Sequence, residues 1–487
     1  MVSVEISGPP RRQGLLAPSL VFFGMALAVI SSLGAPLVPD IAAVYGVPLA
    51  DAQWTLTVTL LAGAVATPVM GRLGDGPYRR AVTLGSMALV LAGGVLSALP
   101  LGFGWLVAGR ALQGVSAGLV PLAIATARDA LPEARSRTTL ALLSITTAAG
   151  VGLGYPLTGL IAQSAGIRAA FWFGAGISAL SLLVAFAVLP SSARLPRRPL
   201  DVPGALLLGA AVTGLLLVLG EGGRWGWDSP RTLGLLGGAL ALLAWWAAHE
   251  LRTAHPLVDL RLLRHRSVLT ADLVILVAGV GMYLLMSMVT RFAQTPVTAG
   301  YGFGASVAVT GLILVPFSAT GLAASRLVPV LVRRLPVRLV MAVGCAVSLL
   351  SMVGFALFQN GLWGLFLAMG LSGLGIGVTF SVMPSLIVEA VPAHETGSAI
   401  SFNQLLRCVG YAVGSALSAT VLQAHTAAGQ VLPAVGGYRS GALLGCAVWA
   451  AAIVLSAALP GRRRANEEER TMVVEDGTGA AAEQRAR

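Results

Sequence analysis

Residues 150–159 read GVGLGYPLTG, four glycines and a proline within ten residues of a long apolar stretch. A glycine costs a helix interior about 1 kcal/mol and a proline about 3 kcal/mol, so weakening a helix here must gain something in packing. The pattern has a copy: residues 410–414 read GYAVG, 260 positions after the GVGLG of 150–154. Two further pairs keep that distance to within one residue. GVSAG at 114–118 matches GLGIG at 373–377, and ALP at 130–132 matches AVP at 390–392. Three small-residue signatures at one offset predict two copies of a single fold running in the same direction, one of the recognised plans of membrane carriers.

Composition sets the class. The chain has 487 residues, 56% hydrophobic and 11% charged, with mean hydropathy +0.84. An average soluble domain is about 25% charged. Fourteen apolar runs lie between residues 17 and 459, most of them near the roughly 20 residues that span a bilayer. The expected class is an all-α polytopic membrane protein with about 14 transmembrane helices. The first run follows Arg11 and Arg12, and its length favours a retained span over a cleaved signal peptide.

The arginines predict orientation. All 32 basic residues are arginine, and the connections beginning with Arg11–Arg12, Arg72–Arg80 and Arg128–Arg137 carry 25 of them, counting the C-terminal tail. The opposite connections carry five, and Arg110 and Arg407 fall inside spans. The positive-inside rule then puts both termini in the cytoplasm, with the chain in a plasma membrane, the bacterial inner membrane. The expected organisation is a cytoplasmic N-terminal segment over 1–14 and a six-helix bundle over 15–190. A central hairpin follows over 200–250, then an interfacial linker over 251–266, a second six-helix bundle over 267–460 and a disordered tail over 461–487.

Several classes are excluded. Cys345, Cys408 and Cys446 are scattered, and the five histidines lie at span ends or in connections without metal-ligand spacing. No phosphate-cradling Gly-Lys loop is present. The reading therefore expects no metal, no cofactor, no nucleic-acid partner and no enzyme, and leaves an ion gradient as the energy source. The expected partners are an amphipathic small molecule, protons and membrane lipids, with the chain a monomer.

Residues 71–80, GRLGDGPYRR, resemble the loop signature between the second and third helices of the major facilitator superfamily. Residues 106–118, LVAGRALQGVSAG, resemble its fourth-helix signature, and 150–159 its fifth-helix antiporter signature. The layout is similar to the fourteen-helix drug:proton antiporter branch. The resemblance implies two pseudo-symmetric six-helix bundles with a central two-helix insertion, and alternating access between them. It implies a cytoplasmic gate at Asp75, Arg79 and Arg80, and close packing of the fifth helix on its repeat-related partner through Gly150, Gly154, Pro156 and Gly159, with Gly410 and Gly414 in the equivalent place. Two departures matter: the branch carries an acid in its first helix, where this chain has Ser31 and Ser32 and only Asp40 at the outer end, and its loop signature has a glycine near the place where Pro77 and Tyr78 stand here.

Charges inside the apolar runs are the remaining filter. Each costs about 2.5–3.5 kcal/mol at mid-bilayer, so each needs a partner or a watered cavity. Asp272 is the one acid well inside a run, with Arg110 and Arg407 as intramembrane bases. These three are the expected proton-coupling residues. Ser31, Ser32, Gln113, Arg291 and Asn403 are the expected polar residues of a substrate cavity. The resulting expectation is a proton-coupled exporter of amphipathic compounds. A lipid or lipid-precursor translocase of the same fold is the alternative, and an integral-membrane lipid-modifying transferase the alternative of another class.

Overall fold

A computed structural model of the chain describes residues 10–33, 37–47, 49–52, 54–74, 76–190, 200–391, 396–427 and 432–458. Among these residues there is no strand. The membrane helices run in order α1 (Pro10–Ser32), α2 (Trp54–Gly74), α3 (Arg79–Ala98) and α4 (Phe103–Ala130). Residues 133–165 and 167–188 form α5 and α6. They are followed by α7 (Val202–Trp225) and α8 (Pro230–Arg252). The last six are α9 (Arg266–Gln294), α10 (Ala308–Arg334), α11 (Val337–Leu357), α12 (Leu362–Ala390), α13 (Thr396–Ala424) and α14 (Val435–Ala457).

Thirteen helices among the described residues are long and apolar enough to cross a membrane, one fewer than the fourteen runs in the sequence. The difference lies in Glu133–Val188, 56 residues in which two helices meet end to end at a kink. A straight helix of that length would measure about 84 Å, against a hydrocarbon core of about 30 Å. Gly166, at φ 83° and ψ 169°, breaks it, a backbone state open to glycine and not to residues with a Cβ. The chain folds back there. Leu140 and Leu143 share an apolar cluster with Ala185 and Leu189, while Ile161 packs near Ile167 and Phe171 at the other end. Glu133–Val188 is thus two spans.

The repeat signatures are helix crossings. On α4, a Cβ at Gly109 would sit 2.7 Å from the Gly93 carbonyl oxygen of α3; on α12, one at Gly375 would sit 2.5 Å from the Gly344 oxygen of α11. Gly114 on α4 abuts the Thr59 carbonyl of α2, and Gly373 on α12 abuts the Phe317 carbonyl of α10. Gly150 on α5 packs on Ala28 of α1, and Gly410 and Gly414 on α13 pack on the Leu276 and Val280 carbonyls of α9. Each crossing in the first six spans has its counterpart in the last six, which explains the glycines: small residues let backbones approach closely. The close approach at Gly150 is to α1 in its own half, not to the repeat-related α13 as the resemblance implied. Gly154 and Gly159 are buried on the same helix, which runs through Pro156 without a break.

Apolar clusters divide the molecule along the membrane normal. At the arginine-rich face, Leu16, Met70, Leu131 and Leu143 of the first half join Val268, Ile387, Val391 and Ile400 of the second. Towards the other face, Leu37, Ile41, Leu106 and Phe171 form a cluster of the first half alone. A large cluster around Phe292, Phe317 and Trp449 belongs to the second half alone. The halves are therefore closed against each other at the arginine-rich face.

The α7–α8 hairpin covers one seam between the halves. Leu208, Val212 and Trp246 pack with Ala64 of α2 and Leu405 of α13, and Trp246 stacks on Phe402 with ring centroids 6.3 Å apart. Asp201 caps α7 by accepting from the Gly204 N–H at 2.9 Å and also meets His249 Nε2 at 2.9 Å. Glu250 accepts from Trp246 Nε1 at 2.8 Å and from the Val258 N–H at 3.4 Å, tying the linker to the hairpin. Leu257 and Val258 of that linker are buried in the seam, so part of the expected interfacial segment packs against protein. The chain before residue 10 and after 458 lies outside the described residues, and α1 takes up residues from Pro10 onward.

Candidate transport pathway

Arg110 sits on α4 below a local irregularity. The helix passes through a 3-10 turn at Val115–Gly118 before resuming at Leu119. Pro121 has no N–H to offer the fourth residue before it, which accounts for the tightened turn. The Arg110 side chain is fully buried and donates four times: to the carbonyls of Ile30 at 3.4 Å, Ser31 at 3.3 Å and Thr55 at 3.3 Å, and to Gln113 Oε1 at 2.6 Å. Its own carbonyl accepts from Thr59 Oγ1 at 3.1 Å. The guanidinium thus joins the ends of α1 and α2 to α4. Ser31 Oγ lies 3.0 Å from Ser116 Oγ, crossing the same junction. Ser32's side chain is outside the described residues.

Asp272 lies on α9, 3% exposed, and accepts from Asn403 Nδ2 of α13 at 2.7 Å. Its neighbours Val268 and Ala271 belong to the cluster that joins the halves. Asn403 and Arg407 are four residues apart and so share a face of α13. Arg407 donates to Gln404 and its guanidinium carbon stands 5.4 Å from the centre of the Phe380 ring. Asn403, Gln404, Arg407 and Phe380 line a cavity of about 20 Å³ together with Val120 and Ile124 of the first half. That is room for about one water, as expected where the halves are closed.

The expected proton-coupling residues therefore fall into two groups. Asp272 and Arg407 lie around Asn403 at the cross-half seam, while the described bonds of Arg110 go to α1, α2 and α4. Of the expected cavity residues, Gln113 is buried beneath Arg110, Asn403 binds Asp272, and Arg291 is exposed at the arginine-poor end of α9. The other acids within reach of this role, Asp40 and Glu389, are exposed.

Asp75 lies outside the described residues. Arg79 donates to the Gly74 carbonyl at 2.7 Å and the Ala125 carbonyl at 3.3 Å, and pairs with Asp129 at 2.6 Å. It gathers the ends of α2, α3 and α4. Arg80 donates to the Phe186 carbonyl at 2.9 Å, tying α3 to α6. The described contacts between the halves at this face involve other residues. Arg128 at the end of α4 donates to Thr396 and, at 3.4 Å, to the Val391 carbonyl. A Cβ on Gly71 would lie 2.8 Å from the Gly397 carbonyl oxygen. Ser381 donates to the Ala141 carbonyl at 3.4 Å. Sequence reasoning counted Arg128 among the orientation-setting arginines and passed over Gln404 and Phe380. The Asn403–Gln404 pair inside an apolar run was the available signal for the seam.

The description of the Major Facilitator Superfamily matches residues 19–415. An uncharacterized MFS-type transporter of Mycobacterium tuberculosis is 30% identical over 85% of this chain, and the alignment spans 60% of that relative's length. The multidrug resistance protein Stp of the same organism is 28% identical, over 80% of this chain and 72% of the relative. The crystal structure of the human organic anion transporter MFSD10 superposes with a TM-score of 0.62 at 17% identity, covering 92% of this chain and all of that one; at that identity the likeness concerns the fold.

Proposed function

This chain belongs to the Major Facilitator Superfamily, and we propose that it is a multi-pass membrane transporter that exports amphipathic small molecules in exchange for protons. The relative Stp is named a multidrug resistance protein, which supports an export role for drug-like substrates. In this reading the arginine-rich face is cytoplasmic and the chain sits in the bacterial inner membrane. Asp272 carries the coupled proton.

One observation carries the coupling: Asp272 is a buried carboxylate whose helix neighbours Val268 and Ala271 are part of the cluster closing the two halves. Water cannot reach Asp272 from the arginine-rich face until that cluster parts, so proton exchange and the change of access are one event. Asn403 holds the carboxylate, and Arg407, one turn on, supplies a positive charge to the same seam. Parting the halves also breaks the Arg128 bonds to Thr396 and Val391. Arg110 serves as the anchor around which α1, α2 and α4 move as a body. The membrane potential adds about 2.3 kcal/mol per charge per 100 mV to such a cycle.

The test is Asp272→Asn in proteoliposomes with an imposed pH gradient. Uphill export is lost while substrate binding survives; pumping at a near wild-type rate would move the assignment to another carboxylate. Orientation is read separately in intact cells. Cysteines at Ser229 and Ala299 are labelled from outside, and those at Ala134 and Ala254 are not; external labelling at Ala254 contradicts the orientation.

A further inference from the structure

We propose that the arginine-poor face of the last six spans carries a binding site for a compact aromatic anion, separate from the route between the halves. A cavity of about 720 Å³ opens there between the connections α9–α10, α11–α12 and α13–α14. Small-molecule sites occupy about 300–1,000 Å³. The site depends on neither the direction nor the coupling of transport.

The floor is aromatic and built in advance. Phe292 is 1% exposed and meets Tyr301 at 5.8 Å, Phe303 edge-on at 5.8 Å and Tyr438 at 5.0 Å between ring centroids. The loop that delivers two of these rings reads GYGFG over 300–304. Gly300, Gly302 and Gly304 have φ of 76°, 81° and 56°, and a Cβ at Gly302 would lie 2.5 Å from the Thr295 carbonyl oxygen. Alternate residues thus take backbone states suited to glycine, which brings both intervening rings onto Phe292. The Gly304 and Ala305 N–H groups donate to Thr295 and Ala293 at 2.8 Å each, and the Tyr301 hydroxyl donates to Pro433. A floor fixed in this way loses little entropy when a planar ring settles on it.

The charge of the cavity selects the ligand. Among its described lining residues Arg439 is the one ionised group, and no carboxylate lines it. Gln359 Nε2 is buried on the same wall, and among the described residues nothing accepts from it. A buried donor left unpaired costs about 1–3 kcal/mol; turned into the cavity by a side-chain rotation, it would join Arg439 in holding a bound carboxylate. An aromatic carboxylate satisfies all three features: ring on the floor, charge towards Arg439 and Gln359.

The experiment is equilibrium dialysis of radiolabelled 2-naphthoate against the full-length protein in nanodiscs of zwitterionic lipid. Saturable binding near one per chain is expected, with neutral 2-naphthamide about tenfold weaker or worse. Arg439→Gln, a surface change that leaves folding intact, should weaken naphthoate about tenfold, and Gln359→Leu should weaken it similarly. Equal binding of the amide, or unchanged binding in both variants, overturns the proposal. Repetition in phosphatidylglycerol nanodiscs separates free anion from lipid phosphate. Retained binding supports the site as proposed, whereas loss there gives the cationic rim to lipid and overturns the free-ligand assignment.

Discussion

The first six spans and the last six repeat their glycine crossings and do not repeat their buried polar groups. Gly109 against Gly93 is matched by Gly375 against Gly344, and Gly150 on α1 by Gly410 on α9. The 259-residue offset that carries Gly114 to Gly373 carries Arg110 to Met369, which is 1% exposed. The 260-residue offset that carries Gly150 to Gly410 relates Asn403 to Leu143, which is 0% exposed. The second half thus has a methionine where the first has Arg110, and the first half a leucine where the second has Asn403. Backbone approach dictates the glycines. The fold itself does not demand the polar residues, and keeping them in a dry interior is costly. Their presence on one side of the repeat marks them as functional or as specialised anchors.

That comparison breaks most visibly at Arg110. Arg110→Met installs the residue of the other half and leaves the Ile30, Ser31 and Thr55 carbonyls and Gln113 without their donor. A loss of about 1–3 kcal/mol for the acceptors left unpaired is expected, together with the lost packing between α1, α2 and α4, seen as a large drop in the thermal unfolding midpoint of the purified protein. Wild-type stability would mean the anchor is dispensable and the halves are more alike than their side chains.

Gly150→Leu and Gly410→Leu test the repeated framework. Each drives a side chain into a backbone of the same half, and overpacking costs about 1–3 kcal/mol. The two losses should be similar. A loss confined to one half would show that the crossings are not equivalent.

Asn403→Leu borrows the residue of the first half and removes the hydrogen bond to Asp272. Stability should change little, while substrate accumulation against a pH gradient falls about tenfold, the equivalent of about 1.4 kcal/mol. Downhill exchange continues. Accumulation at the wild-type level would separate Asn403 from coupling.

Asp129→Asn gives the smallest effect. Its partner Arg79 keeps the Gly74 and Ala125 carbonyls, and Asp129 is 38% exposed, so the change should stay under about 1 kcal/mol. A larger loss would make this pair part of the gate rather than of the helix ends.

The membrane class, the span pattern, the duplication and the arginine asymmetry were all legible in the sequence, because each rests on composition or on periodicity along the chain. Asp272, Arg110 and Arg407 were legible too, since a charge within an apolar run stands out whatever it touches. Their partners were not. Asn403 and Asp272 lie 131 positions apart, and Arg128 and Thr396 lie 268 apart. The glycine at 150 announced a close crossing but not its partner, and α1 proved to be that partner rather than the repeat-related span. The aromatic pocket was missed because GYGFG looks like an ordinary loop until its backbone is known. Hydrophobicity and charge act locally on each residue, so the sequence alone determines which segments enter the membrane and which residues are anomalous there. Hydrogen bonds and close packing need two groups at one place, and that coincidence was decided only by the tertiary structure.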